Sequence, residues 1–329
     1  NLKITTIAAD KALVTGVAAD AVGVTVTLDD SGQSVVNPDT IALTVDGVAA
    51  TPLTKSKADK TTTVRWNSPA YLTSGQQLTL GISFKDTQNA QIADTRPVTV
   101  AAYAMIPPAY RVPTASVNTS RKGFLLRPYQ TEAAQPNTLL WTEGQLLGLY
   151  GANIADLGGA TSGVFTRDTV INFNIDAPNA VGNFTSANGY DDEQFPGFPG
   201  TGGIGAVTFT GNSTEEVLTY IDFPAAGLYQ LGVNSDDGFR VTAGRAPGDL
   251  LGVILGSFDG GKGASDVLFS VLIDQPGIYP IRLIWENGNG EFSAGNAANL
   301  EFFSVRNGGK TLVNDTTAGH RRPKRTATM

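Results

Sequence analysis

The chain contains no cysteine, so disulfide staples, thiolate metal sites and cysteine nucleophiles are excluded. The same absence in a chain of this length is compatible with an exported bacterial protein. Histidine occurs once, at His320 near the C-terminal end, which leaves no Ser-His-Asp arrangement and no imidazole metal site. Charged residues are scarce, at 16%, and the formal net charge is -7. An acidic chain without a basic, aromatic-interleaved stripe repels nucleic acid and suits metal cations. No run of ~18 apolar residues exists, so insertion into a membrane as a helix is not expected. The first residue is Asn1 rather than Met and no signal-peptide pattern is present, which reads as a mature or excised piece. Paired carboxylates alone could run glycoside hydrolysis, but nothing marks a cleft between two of them. The expectation is a protein that is not an enzyme.

What the chain does have is turn chemistry. Hydrophobic residues make up 41% and glycines number 38, the profile of many short strands joined by tight turns. Its 329 residues exceed what one sandwich usually needs, so two domains are expected. In the first hundred residues Val22, Val24, Val26 and Leu28 alternate with Thr25, Thr27 and Asp29. Ile41, Leu43 and Val45 precede the turn Asp46-Gly47, and Leu78, Leu80, Ile82 and Phe84 alternate again. Strict alternation predicts sheets with one buried and one wet face. Pro107, Pro108 and Pro113 then predict an extended linker over 104–119.

Beyond the linker, Leu139, Leu140, Glu143, Leu146, Leu147 and Tyr150 predict one amphipathic helix, with Asn137 as N-cap and Gly151 as stop. Further strands are predicted at 171–175, 217–223, 228–234, 267–274, 279–286 and 299–305. Residues 307–329 end in the basic run His320 to Arg325 and read as a solvated tail or linker. Gly256, Gly261 and Lys262 have phosphate-loop spacing, but Gly263 stands where a hydroxyl is needed, so a glycine-rich hairpin turn is expected.

The chemistry concentrates in Asn234-Ser235-Asp236-Asp237-Gly238-Phe239-Arg240. A strand delivers two adjacent carboxylates to its end, and Gly238 permits a sharp turn. Neighbouring side chains on an extended chain diverge, so gripping one ion requires bent backbone there. Hard oxygen donors of this kind suit calcium, which takes ~6–8 oxygens. Two carboxylates are too few, and the loop Glu286-Asn287-Gly288-Asn289-Gly290-Glu291 offers more amide, carboxylate and carbonyl oxygens. Asp-Asp-Gly by itself is equally a turn whose side chains bond backbone donors.

Two resemblances attach to these residues. Leu43-Thr44-Val45-Asp46-Gly47 and Ser74-Gly75-Gln76-Gln77-Leu78 resemble bacterial immunoglobulin-like domains, covering about residues 1–103 and implying a spacer or stalk. Gly227-Leu228-Tyr229, Asn234 to Arg240, and Gly277-Ile278-Tyr279-Pro280-Ile281-Arg282-Leu283-Ile284-Trp285-Glu286-Asn287 resemble the protective-antigen-type β-sandwich, a family that includes flocculin and adhesin lectins. That resemblance spans 120–306. It implies that Asp236 and Asp237, joined by a cis peptide, chelate calcium together with Asn287 and the carbonyls of Asn289 and Glu291, and that the calcium coordinates sugar hydroxyls. The strand after Asp-Asp-Gly ends Val241-Thr242-Ala243-Gly244, without the aspartate many members carry there.

The expected fold is therefore all-β, an immunoglobulin-like sandwich followed by a larger protective-antigen-type sandwich with one flanking helix. The expected role is an extracellular, calcium-dependent, carbohydrate-binding adhesin or surface module. The alternative is a structural surface, filament or matrix subunit that self-assembles, with calcium-rigidified loops and no sugar. Asn234, together with Tyr190, Asp191, Asp192 and Phe198 in the long glycine-rich loop, is the expected ligand-contacting rim. A solvated turn is the competing reading of that loop, and Asp29-Asp30 reads as a hairpin turn.

Overall fold

The computed structural model describes residues 11–175, 177, 181–200, 211–288 and 298–316. The chain divides into two compact units, Asn1–Tyr103 and Ala104–Met329. No helix among the described residues is long and apolar enough to cross a membrane.

The first unit contains β1 (Leu13–Asp20), β2 (Gly23–Asp29), β3 (Ala42–Val45), β4 (Val48–Ala49), β5 (Leu53–Ala58), β6 (Thr61–Asn67), β7 (Gln77–Lys85) and β8 (Gln91–Thr99). They form two four-stranded sheets, β1-β2-β6-β5 and β4-β3-β7-β8. Lettered A to G in chain order, with β4 as C′, these are A-B-E-D and C′-C-F-G, the order of immunoglobulin sandwiches. Val24, Val26 and Leu28 from one sheet share a core with Leu78, Leu80, Ile82 and Phe84 from the other. The alternation of those residues thus sends the apolar set inward. Asp46 and Gly47, at φ 51° and 81°, make the tight hairpin between β3 and β4, since both central positions of such a turn need positive φ. β5 escapes the periodicity because it is an edge strand whose positions on the side of Leu53 are Lys55 and Lys57, opposite Val64 and Thr62, with ammonium groups that reach Pro38 O and Asp30.

The second unit contains β9 (Ala104–Ile106), β10 (Phe124–Gln130), α1 (Leu139–Leu146), β11 (Phe165–Arg167), β12 (Asn172–Asn174), β13 (Ser213–Phe223) and β14 (Gly227–Ser235). It continues with β15 (Phe239–Ala243), β16 (Val253–Phe258), β17 (Ser265–Ile273), β18 (Gly277–Asn287), β19 (Asn299–Arg306) and β20 (Gly309–Leu312). One six-stranded sheet runs β11-β10-β13-β18-β15-β16. The other runs β12-β19-β14-β17-β9, with β20 on β19. Leu126, Val217, Val241, Leu283 and Trp285 from the first sheet meet Leu231, Val233, Val271, Leu300 and Phe302 from the second in a single buried core. Phe195 stacks on Trp285 with ring centroids 4.3 Å apart.

Four expectations need correction. The linker over 104–119 begins with a strand: β9 pairs in parallel with β17, and Val112 bridges Ile278, so its prolines sit around paired backbone. The tail from 307 is in its first part a strand, because β20 pairs with β19 and buries Leu312; residues 317–329 lie outside the described residues. The helix is shorter than expected. Thr138, not Asn137, is the N-cap and accepts the Trp141 N–H, and the helix ends at Leu146 with Leu140 and Leu147 exposed. The glycine-rich segment 259–264 is not a hairpin, since β16 and β17 belong to different sheets and the segment crosses from one to the other.

These elements collect their ends at one pole of the sandwich. The β13–β18 register starts at Ser213↔Asn287, and Phe239 of β15 lies opposite Trp285. β14 ends at Ser235 opposite Leu300 of β19. The helix lies on the outer face of the first sheet, where Leu139 and Leu146 pack on Ile284. Beside that contact, Arg282 grips Glu143 of the helix and Glu216 of β13.

Candidate functional site

The turn between β14 and β15 occupies this pole. Asp236 donates its N–H to Asn299 O at 3.2 Å, and Asp237 donates to Lys262 O at 3.0 Å. The Trp285 indole N–H reaches Asp236 O at 2.7 Å, so the buried core side chain also ties the turn. Asp237 takes the left-handed region at φ 58°, a conformation aspartate tolerates better than most residues. The peptide joining Asp236 and Asp237 is not cis, in contrast to what the resemblance implies. Nor does Gly238 supply the positive φ. Glycine is needed there because a Cβ would stand 2.3 Å from Glu286 Oε1 and 2.9 Å from Phe258 O.

Asp237 is the centre of the cluster. Its Oδ1 accepts the Lys262 N–H and its Oδ2 the Gly288 N–H, both at 3.1 Å. The Asn137 side chain is a further donor to the same carboxylate. Asn137 sits just before the helix at φ 54°, and a Cβ on Gly288 would meet its Oδ1 at 1.8 Å. Glu286 projects from β18 beneath the turn, with Thr142 of the helix donating to Oε2. Asp259 accepts the Leu139 N–H at 2.8 Å, at the start of the helix. Among the described residues, Asn137 Oδ1 and Glu286 Oε1 are buried without a hydrogen-bond partner, with the Gly260 amide facing the Glu286 carboxylate.

Crowding acids into a desolvated pocket raises their proton affinity. Burial, helped by the charge of Asp237, pushes the Asp236 carboxyl up to about 6 against the pull of Lys262. Burial also raises Asp237, although the Gly288 and Lys262 amides and Asn137 oppose it. Glu286 is pushed up to about 7, again chiefly by burial, with Asp259 and Asp237 adding and the Thr142 hydroxyl subtracting. Lys262 is the basic group facing the pair. Burial lowers its pKa while Asp236, Asp266 and Asp237 hold it up, and its ammonium donates to Ser235 O and to Ser265 O.

The donor set is oxygen only, which fits a hard cation, and the two orphaned oxygens are what such an ion would satisfy. Among the described residues no three acidic or histidine side chains converge closely enough to hold a metal by themselves. Any ion here needs amide or backbone oxygens as well.

The other sequence-derived candidates are dispersed. Asn287 is buried at the end of β18, in register with Ser213. Asn289 and Glu291 lie outside the described residues. Asn234 points to the outer face of the second sheet, where it donates to Asp266 at 2.8 Å and accepts from Asn299 at 2.9 Å. Phe198 is part of the sandwich core and presents no face to a ligand. Tyr190 packs edge-on against Phe184 and donates its hydroxyl to Asp315. Asp192 is buried and Asp191 exposed, so the pair forms no open rim. Sequence reasoning missed Asn137, Asp259 and Lys262 as partners of the turn, and it placed Glu286 in the oxygen-donating loop without singling it out.

No protein-family profile matches the chain, and no curated protein does. Among solved structures it is similar to the PA14 domain of MpAFP antifreeze protein, at 17% identity and TM-score 0.37, over 59% of this chain and 87% of that one. The epithelial adhesin 9 A domain from Candida glabrata, solved with Galβ1-4GlcNAc, gives 14% identity and TM-score 0.38 over 67% of this chain and 100% of that one. An anti-sigma factor domain-containing protein from Clostridium clariflavum gives 11% identity and TM-score 0.31 over 96% and 93%. At TM-scores this low, none of them carries an inference to this chain.

Proposed function

We propose that the second unit is a calcium-dependent carbohydrate-binding module of an extracellular surface protein, a binding role rather than a catalytic one. Calcium would be held by Asp236, Asp237 and Asn287, with Asn289 and Glu291 completing the set through their carbonyls. The observation that carries this reading is the desolvated Asp236–Asp237 turn beside two buried, unpartnered oxygens, Asn137 Oδ1 and Glu286 Oε1. The resemblance of this turn and of the β18 end to the protective-antigen-type lectins supports the same assignment.

Bound calcium supplies a Lewis-acidic centre whose remaining coordination positions accept vicinal sugar hydroxyls. The chain's own part is to hold the acceptors in place. Trp285 fixes Asp236 from the core, and the Lys262 and Gly288 amides fix the Asp237 carboxylate. Single sites of this kind bind weakly, and adhesion would come from repetition over a surface. The first unit would then serve as a spacer.

Calorimetric calcium titration of the chelator-stripped chain and of Asp237→Asn tests the metal. Saturable binding that the variant loses supports the site, and a glycan screen in calcium follows. Binding that survives unchanged in the variant removes the assignment. A second reading is favoured by both Asp237 oxygens being engaged by backbone amides, as in a purely structural turn. A structural surface subunit would self-associate on adding calcium, and no soluble glycan would compete.

A further inference from the structure

The outer face of the second sheet, away from the core, carries a buried layer that the proposed lectin site does not use. Phe173, Val233, Leu300 and Phe302 face the core, so alternation turns Asn172, Asn174, Asn234, Asn299 and Glu301 the other way. The registers set them side by side: Asn172 opposite Glu301, Asn174 opposite Asn299, and Glu301 opposite Asn234. Segment 181–193 folds over them. Gly182 is so close that a Cβ would stand 2.2 Å from Glu301 Oε1.

Under that cover lie two carboxylates without a counter-charge. Glu301 is 0% exposed and accepts the N–H groups of Asn183 at 2.7 Å and Phe184 at 2.9 Å. Asp192 is 8% exposed and is bonded only at the limit of hydrogen-bond distance, by Asn172 at 3.3 Å and by Asn174 and Val181 at 3.4 Å. Burial raises the proton affinity of both carboxylates, and the Asp192 charge adds to the rise at Glu301. Among the described residues neither has an ion-pair partner, because Arg167 is spent on Glu193 and Lys310 on Asp266.

Two amide oxygens in the same layer are also unsatisfied. Among the described residues, Asn172 Oδ1 and Asn299 Oδ1 are buried with no partner, on residues 3% and 0% exposed. Their orientations follow from their donors. The Asn172 amide nitrogen serves Phe184 O at 3.1 Å, Asp191 O at 3.2 Å and Asp192, and that of Asn299 serves Asn234 Oδ1 at 2.9 Å. Buried polar atoms are nearly always satisfied, and a buried carboxylate pair needs a proton or a cation. A single proton on Asp192 could satisfy one of the two orphaned acceptors and would leave a charge in place.

We propose that this layer is a second calcium site, with Asp192 and the amide oxygens of Asn172 and Asn299 as ligands and Glu301 as the balancing charge. A divalent ion neutralises both carboxylates and occupies both orphaned oxygens at once. Its role would be to clamp segment 181–193 onto the sheet. The site shares no ligand side chain with the Asp236–Asp237 turn, and Asn299 joins the two through its backbone oxygen, which accepts the Asp236 N–H.

The test is a calorimetric titration of the chelator-stripped full chain with calcium chloride, alongside Asp192→Asn and Asp237→Asn, with circular dichroism to confirm folding. The chain is expected to bind two equivalents and Asp192→Asn one fewer. An Asp192→Asn isotherm identical to that of the parent overturns the proposal. If the parent binds a single equivalent, its loss in Asp192→Asn supports this site and sinks the Asp236–Asp237 reading, whereas its loss in Asp237→Asn alone does the reverse. No binding at all removes both. Should Asp192→Asn fail to fold, Asn172→Asp decides. It adds a third buried carboxylate, so its thermal midpoint in chelator should fall and calcium should raise it by more than it raises the parent's. Equal calcium shifts overturn the proposal.

Discussion

Replacing Glu143 by alanine removes a carboxylate that grips two arginines at once. Arg282 Nη1 and Nη2 bond its two oxygens at 2.5 and 2.8 Å, and Arg240 reaches it as well. Arg282 is 3% exposed at its side chain, and its Nε is already committed to Glu216 at 2.6 Å. The variant therefore leaves the buried Arg282 guanidinium with Glu216 as its remaining anion and removes the partner of Arg240, which is 20% exposed at its side chain. Breaking a buried pair from one side costs about 3–5 kcal/mol. For a domain of this size that lowers the melting midpoint by roughly 6–20 °C. The assay is urea unfolding followed by tryptophan fluorescence in a Trp66→Phe background, where Trp141 and Trp285 report the second unit alone. Trp141 lies in the helix and stacks on Tyr150 at 3.7 Å, so it also reports the docking of α1. Glu143→Gln keeps the shape and one acceptor and should lose less. A change below about 0.5 kcal/mol, the size of an exposed pair, would refute the argument that this cluster behaves as a buried network.

Three further outcomes are expected. Without divalent cations, Glu286 has a native pKa of about 7 against an ordinary 4.5, so the native state takes up its proton more readily than the unfolded chain. Stability from this group is complete below the ordinary value and is lost as pH rises through about 7, by about 3 kcal/mol. Urea midpoints in chelator should fall over that window, and Glu286→Gln should flatten the fall. Gly238→Ala puts a methyl group 2.3 Å from Glu286 Oε1 and should cost about 1–3 kcal/mol by overpacking, together with calcium affinity in calorimetry. Phe302→Ala, in the second core, should cost about 3–5 kcal/mol in the same urea assay.

Strand positions were legible wherever one face is buried and the other wet. Val22 to Leu28 and Leu78 to Phe84 were read close to β2 and β7, because period-two alternation is the direct signature of such strands. β10 was not read, since Pro128 and Arg127 break the apolar pattern that its core contacts Phe124 and Leu126 begin. The helix was found, but its cap was misplaced by one residue, because Asn137 is turned instead toward Asp237. At the candidate site the adjacent carboxylates were visible as a motif, whereas their partners Asn137, Asp259 and Lys262 come from separate segments with no spacing rule to link them. Asn172 and Asn174 alternate with Ile171, Phe173 and Ile175, the pattern of a strand with one wet side, yet segment 181–193 covers them in a buried layer.

The sequence by itself determined the all-β class, the two-unit division near residue 103 and the pair Asp236–Asp237 at a strand end, because periodicity, turn residues and adjacent charges are properties of short stretches of chain. The tertiary structure alone decided which carboxylates lose water and which oxygens are left without a donor. Desolvation depends on what folds over a residue: Asp237 is closed over by Asn137 and Lys262, and Glu301 by segment 181–193, chain distant from each in sequence.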